Sequence, residues 1–377
     1  MQPDNILQKA AAGQSLNYHD ILSLLSLTAE TDQAKVFAAA RAMRTRHFQN
    51  KIFLYGFVYF STHCRNNCSF CYYRRNNNES PRYRKDLAET VRIAGELAAS
   101  GVHLIDLTMG EDPFFHKTGN EHRLIEMIRA VKDSTNLPVM VSPGLLPTRS
   151  LYNMKKAGAD WYALYQETHN RHLYGKLRLE QNYDNRMTAK NQAKKLGLMI
   201  EEGILLGIGE SPGDVAHSIL SMRELGVHQA RVMSLVPQRG TPLAGYSSPP
   251  EIREQLTIAT MRLALGNVLI PASLDIEGIT GLKNRLKAGA NVVTSIIPPR
   301  TGLAGVSQSS LDIEEGFRTV AGAIEVLTGL NLVAADGCDY VNWLQSKKTS
   351  EPPITTRLAK GGNNDETGHY RRTASGN

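Results

Sequence analysis

Cys64, Cys68 and Cys71 fall within eight positions of one another, in the stretch STHCRNNCSFCYYRR at 61–75, and the chain has only one other cysteine, Cys338. So few thiols, so crowded, do not make a disulfide framework; they point to metal binding or redox chemistry in a reducing compartment. Three thiolates can hold three irons of a cubane four-iron, four-sulfur cluster and leave the fourth iron open to another molecule. A structural zinc site asks for four ligands, and no second Cys/His pair stands at suitable spacing. His63 is the remaining fourth donor, although its adjacency to Cys64 makes joint ligation awkward. A zinc knuckle and three merely buried thiols stay open as alternatives. Cys338, alone in ADGCDY, reads as a small buried hydrophobe.

These thiols need a scaffold. From about residue 52 the sequence alternates short β-branched or aromatic runs with amphipathic helical stretches. The strand candidates are GFVYFST, VHLIDLTMG, PVMVSPG, WYALYQE, IEEGILLGIG, QARVMSLVP, NVLIPASLDI and ANVVTSII. Between them lie patterns such as LAETVRIAGELAASG, in which Leu87, Val91, Ala94, Leu97 and Ala98 share one face. Glycines at 101, 158, 197, 226, 266 and 289 close the helical stretches. Eight such repeats predict an α/β fold of parallel strands joined by right-handed crossovers, a (β/α)8 TIM-type barrel. The cysteine loop then follows the first strand, at the mouth where barrel enzymes keep their chemistry. Residues 1–50 read as a helical extension, 51–345 as the barrel, and the polar stretch 346–377 as a disordered tail.

Composition narrows the field. Of 377 residues, 41% are hydrophobic and 21% charged, which suits a large folded core. No apolar run approaches the roughly 20 residues of a membrane span, and the N-terminus MQPDNILQKAAAGQ lacks a secretory core, so a cytoplasmic protein without a membrane partner is expected. The formal net charge of +7 is mild, and no basic stripe interleaved with aromatics is present, so nucleic acid is not expected as a partner.

A Cys-x3-Cys-x2-Cys loop with an aromatic, Phe70, before the third cysteine resembles that of the radical S-adenosylmethionine (SAM) superfamily. The resemblance implies one 4Fe-4S cluster on Cys64, Cys68 and Cys71, with SAM on the open iron and an external one-electron donor that triggers its cleavage. DLTMGEDP at 106–113 is similar to the superfamily's Gly-Gly-Glu segment, with Met109 in place of the first glycine and Gly110 and Glu111 retained; taken alone it is an ordinary acidic loop. YQETHNRHLYGKLR at 165–178 and NYDNR at 182–186 resemble the SAM-contacting segment of the branch that contains biotin synthase. The match implies SAM contacts from Tyr165, Glu167, Arg178 and Arg186, with Phe70, Gly110, Glu111 and Ser142 completing the set. With only Cys338 left over, the auxiliary cluster that sulfur insertion needs has no ligands.

Within that branch roughly residues 15–345, including the segments CRNNCSFCYYRR, LTMGEDP, RVMSLVPQRGTPL and ASLDIEG, are similar to the methylornithine synthase family of pyrrolysine biosynthesis. The resemblance implies a radical mutase that converts L-lysine to (3R)-3-methyl-D-ornithine by hydrogen abstraction, fragmentation and recombination. Other maturase-like or lyase enzymes of the branch, or a non-catalytic metal module, are the alternatives. Lysine carries one carboxylate and two ammonium groups, so its pocket needs one cation and two anionic or polar acceptors. Arg231, Asp106, Ser273 and Asp275, all on strand segments that lead to one barrel mouth, supply that set.

Overall fold

The computed structural model describes residues 3–302, 305 and 318–350. Three helices, α1 (Pro3–Ala11), α2 (Tyr18–Leu25) and α3 (Glu30–Phe48), precede the sheet. The strands are β1 (Lys51–Ser61), β2 (Leu104–Met109), β3 (Val139–Ser142), β4 (Trp161–Ala163), β5 (Met199–Leu206), β6 (Gln229–Ser234), β7 (Pro271–Ser273) and β8 (Val292–Ile296). They alternate with α4 (Leu87–Ala99), α5 (Glu121–Thr135), α6 (Thr148–Lys156), α7 (Arg171–Leu177), α8 (Tyr183–Lys195), α9 (Pro212–Leu225), α10 (Glu251–Leu265) and α11 (Gly278–Lys287). After these come α12 (Val320–Thr328), a two-residue strand β9 (Val333–Ala334) and α13 (Gly337–Ser350).

Among the described residues the eight main strands pair in parallel in the order β6-β5-β4-β3-β2-β1-β8-β7. The seam between β6 and β7 is joined by a single parallel bridge, Gln229 to Leu269. The fold is thus the expected (β/α)8 barrel, nearly closed. β1, KIFLYGFVYFS, is buried along almost its whole length, as a parallel strand covered on both faces must be. The one residue without a side chain there, Gly56, lets α4 pack close: a Cβ would meet Leu97 Cδ2 at 2.9 Å. The helices start and stop where local chemistry dictates. Asp86 and Glu89 form a reciprocal capping box on α4, and Ser211 and Asp214 do so on α9, whose far end is closed by Gly226 at φ 64°.

The N-terminal end of the barrel is plugged by aromatics. Trp343 of α13 stacks on Trp161, ring centroids 6.0 Å apart, and the Tyr55 and Tyr340 hydroxyls meet at 2.7 Å. His103 joins this floor by accepting from Leu54 N–H at Nδ1 (2.8 Å) and meeting Ala335 O at Nε2 (2.7 Å). Two expectations change here. α13 continues to Ser350, past residue 346 where a tail was expected, because Trp343 and Tyr340 anchor it to the floor; residues 351–377 lie outside the described residues. Cys338 is exposed rather than buried, since it sits in the first turn of α13. No helix among the described residues is long and apolar enough to cross a membrane.

Candidate active site

At the C-terminal mouth of the strands a cavity of about 180 Å³ is lined by Cys64, Cys68 and Cys71. All eight residues expected to contact the cofactor, Phe70, Gly110, Glu111, Ser142, Tyr165, Glu167, Arg178 and Arg186, line it too. Of the four expected substrate contacts, Arg231 and Asp275 face this cavity. Asp106 and Ser273 stand one hydrogen bond back: Asp106 Oδ1 accepts from Ser142 Oγ (3.2 Å), and Ser273 Oγ accepts from Asp275 N–H (3.2 Å).

The cysteine loop is held from several sides. Arg82 Nη1 donates to Thr62 O (2.5 Å) and Tyr73 O (2.9 Å), and its Nη2 donates to Arg74 O (2.7 Å) and Asn77 O (3.0 Å), tying together the two ends of the loop. Gly110 lies so close that a Cβ would meet His63 O at 2.4 Å and Cys64 Cβ at 2.9 Å, which explains why a glycine stands after Met109. Burial pushes the Cys64 thiol up to about 11 and raises that of Cys71 as well. Among the described residues no three of His, Cys, Asp and Glu close around a single ion. Three thiolates that each bind a different iron of a cubane need not do so. The donor set therefore fits a cluster: three thiols on one loop, facing one cavity, with the neighbouring wall rich in charged groups.

That wall is built around two carboxylate–guanidinium pairs. Arg178 Nη2 donates to Glu167 Oε1 (2.6 Å), and Arg186 bridges Glu111 Oε1 (3.3 Å) and Tyr165 O (2.7 Å). Glu111 lies over Gly144, where a Cβ would fall 1.8 Å from its Cγ, and accepts from Leu145 N–H (2.9 Å). Burial works to raise the Glu111 carboxyl, but Arg186, the Leu145 amide and Arg65 together hold it below its usual range. For Glu167 burial wins over Arg178 and Arg186, and its carboxyl is raised. Arg178 Nε and Arg186 Nε are buried without a partner among the described residues, donors left over for a ligand with a carboxylate. The residues present thus suit the amino-acid portion of SAM.

Glu167 takes a left-handed backbone at φ 66°, unusual for a residue with a side chain and a mark of local strain. The device that holds it was not read from the sequence. Glu202 of β5 accepts from the backbone N–H of Gln166 (2.6 Å) and of Gly203 (2.8 Å), and its other oxygen meets Lys190 of α8. Lys190 also donates to Gln166 Oε1 (2.9 Å). Lys190 keeps Glu202 ionised against its burial. A visible signal existed: MIEEGILL carries two glutamates inside an otherwise apolar strand, and the strand period sends them to opposite faces.

The other glutamate, Glu201, points into the barrel and was also missed. It accepts from Arg231 Nε at 2.7 Å, while Arg231 Nη1 donates to Thr294 Oγ1 at 3.1 Å. Among the described residues Arg231 Nη2, Glu201 Oε2 and Asp106 Oδ2 have no partner although all are buried. Burial and the nearby charge of Glu201 raise Asp106 to about 7. Asp275 is more fully engaged than its sequence position suggested. It accepts from Tyr59 Oη (2.8 Å), Ser295 Oγ (2.9 Å) and Arg318 Nη1 (3.0 Å). Two carboxylates and one guanidinium thus carry the open valences of this half of the site.

A sequence profile of the Radical SAM superfamily matches residues 58–221, which span the cysteine loop, both carboxylate–arginine pairs and Glu202. The chain is 41% identical over 340 residues to the 3-methylornithine synthase of Methanosarcina barkeri (strain Fusaro / DSM 804), covering 89% of this chain and 95% of that one. It belongs to the 3-methylornithine synthase family. The crystal structure of a methylornithine synthase (PylB) superposes with a TM-score of 0.85 at 39% identity, over 90% of this chain and 99% of that one. A more distant relative is the [FeFe] hydrogenase maturase subunit HydE of Thermotoga maritima, 28% identical over 68% of this chain and 74% of its own. Radical SAM enzymes use a 4Fe-4S cluster and SAM, the two cofactors expected from the cysteine loop. In this 3-methylornithine synthase family member they would meet the thiols and the carboxylate–arginine wall described above.

Proposed function

We propose that the protein is a radical SAM mutase that isomerises L-lysine to (3R)-3-methyl-D-ornithine, with Cys64, Cys68 and Cys71 as cluster ligands. The reading is carried by the likeness to 3-methylornithine synthase over nearly the full chain. When bound, the cluster and SAM supply one-electron, hydrogen-abstracting chemistry, fed by an external one-electron donor. Everything else falls to this chain's residues. Arg186, Arg178, Glu111 and Glu167 bind and orient the methionyl end of SAM, where charge-assisted hydrogen bonds combine strength with direction. Arg231 grips the lysine carboxylate through its free Nη2, and Asp106 and Glu201, buried behind the cavity wall, favour the substrate's ammonium end from a distance. Asp275, already neutralised by Arg318, contributes a polar wall more than a free charge.

The buried walls have a second task. A carbon skeleton that breaks into two pieces and rejoins must keep both pieces in register and away from water. Phe57, Tyr59, Tyr165 and Met233 line the cavity beside Arg231 and provide such a wall. The test is substrate dependence. With reduced holoenzyme and SAM, 5′-deoxyadenosine release should rise sharply with L-lysine and stay at background with L-ornithine or with lysine lacking its α-carboxylate. Equal stimulation by the decarboxylated amine would overturn the assignment of Arg231.

A further inference from the structure

Gln181 lies in the turn that follows α7 and precedes α8, and none of the expected roles includes it. Its side chain is committed at both ends. Gln181 Nε2 donates to Cys68 Sγ at 3.0 Å, and its Oε1 accepts from Arg178 Nη1 (3.2 Å) and Arg186 Nη1 (3.4 Å). The backbone is arranged to deliver it there. Glu180 adopts a left-handed φ of 65°, and Gln181 N–H closes the turn on Arg178 O at 3.2 Å. A non-glycine residue in that region costs stability, so the surrounding contacts over-determine the reversal. Cys68 itself is buried, and among the described residues the other side-chain hydrogen bond to its sulfur comes from Arg178, Nη1 at 3.7 Å. Gln181 is thus the short contact to this sulfur, and it touches both arginines of the carboxylate–guanidinium wall.

We infer that Gln181 is a positioning residue that tunes the iron–sulfur cluster through an N–H···S hydrogen bond to Cys68, and does so from a side chain shared with the SAM-binding arginines. The inference rests on the proposed assignment of Cys64, Cys68 and Cys71 as cluster ligands. Adding one electron to a cluster increases the negative charge carried partly by its thiolate sulfurs. A donor aimed at one of those sulfurs stabilises the reduced form more than the oxidised form, and hydrogen bonds to sulfur are among the recognised determinants of cluster potential. Removing the donor makes the cluster harder to reduce. Because Gln181 Oε1 is held by Arg178 and Arg186, anything that moves those guanidiniums also moves the amide that faces Cys68. Occupancy of the SAM site and ease of reduction are coupled through one amide.

Two substitutions separate the ends of the side chain. Gln181→Met keeps the bulk and removes both the donor and the acceptor. Gln181→Glu keeps an oxygen for the arginines, removes the donor and sets a carboxylate near the sulfur. Each variant is reconstituted anaerobically as holoenzyme and assayed for iron and sulfide. It is then poised at a series of fixed potentials with a chemical reductant, without lysine, and the reduced cluster is counted by electron paramagnetic resonance. Wild-type iron and sulfide are expected in both. At one applied potential the reduced-to-oxidised ratio should fall about tenfold in Gln181→Met, which for a one-electron couple is about 59 mV, and further in Gln181→Glu. SAM should raise the ratio in wild type and have a smaller effect in Gln181→Met. Ratios within twofold of wild type in both variants would overturn the inference, as would loss of the cluster from both, which would make Gln181 merely structural. A wild-type protein that takes up no iron and sulfide would overturn the ligand assignment itself, a separate and recognisable result.

Discussion

Replacing Arg231 by lysine puts the proposed substrate grip to a quantitative test. The guanidinium divides its work: Nε holds Glu201 at 2.7 Å, Nη1 holds Thr294 at 3.1 Å, and Nη2 is the buried donor left over. A lysine Nζ can satisfy Glu201 or a substrate carboxylate but cannot span both as the planar fork does. Glu201 is permanently present and fully buried, so it keeps the cation and the fold survives. The substrate then loses a charge-assisted hydrogen bond worth about 2 kcal/mol, or roughly a 30-fold fall in kcat/KM for lysine. Alanine is the poorer probe, because it strands Glu201 as an uncompensated buried charge at a cost of about 3–5 kcal/mol, a large part of a typical folding free energy. The assay follows methylornithine and 5′-deoxyadenosine from the same reaction, beside a thermal melt. Arg231→Lys should melt near wild type, form methylornithine slowly and still release deoxyadenosine at the uncoupled background rate. A kcat/KM within threefold of wild type would refute the argument that the free Nη2 binds substrate.

Other expectations concern the cluster, the Glu167 loop and Asp106. Cys68→Ala should abolish iron loading, whereas Cys338→Ala, at an exposed position on the opposite end of the barrel, should load normally; normal iron in Cys68→Ala would remove it from the ligand set. Glu202→Gln weakens the charged acceptor for the Gln166 and Gly203 amides and leaves the Lys190 ammonium, still bonded to Gln166 Oε1, without its carboxylate, so SAM affinity of the cluster-loaded protein should fall about tenfold, close to 1.4 kcal/mol, and unchanged affinity would show that the strained Glu167 needs no such support. Asp106 is raised to about 7 from its ordinary 3.8, so it favours folding while protonated, and that contribution is lost as pH rises from about 4 through 7. The loss has an upper bound of about 4 kcal/mol, so Asp106→Asn should gain stability relative to wild type across that window in denaturant titrations; parallel pH curves for the two proteins would contradict it.

The barrel was legible because parallel strands buried on both faces read as short apolar runs, and each run here stands between helical periods with a glycine at the turn. The cysteine loop was legible because its spacing is local. Glu201 and Glu202 were not, since their meaning depends on partners in other elements: Arg231 on β6, thirty residues on, for one, and Lys190 on the packing helix α8 for the other. Gln181 was invisible for the same reason, because its contact with Cys68 spans 113 positions. Asp275 lines the cavity, but nothing in the sequence signalled that Arg318, Tyr59 and Ser295 already surround it. Cys338 misled because a lone cysteine is usually buried, while here the turn that starts α13 faces outward. The aromatic floor shows why the tail began too early in the sequence reading. The chain turns polar after Trp343 and Leu344, yet Trp343 is the anchor that carries helix onward.

The most direct measurement uses lysine labelled with carbon-13 at every carbon. Reduced, cluster-loaded protein is incubated with SAM and the labelled amino acid, and the products are separated by chiral chromatography before mass spectrometry, because substrate and product are isomers of equal mass. The account predicts (3R)-3-methyl-D-ornithine carrying all six labels, formed only when the cluster, SAM and reductant are all present. Release of 5′-deoxyadenosine together with unrearranged lysine, or with labelled fragments that never rejoin, would contradict it.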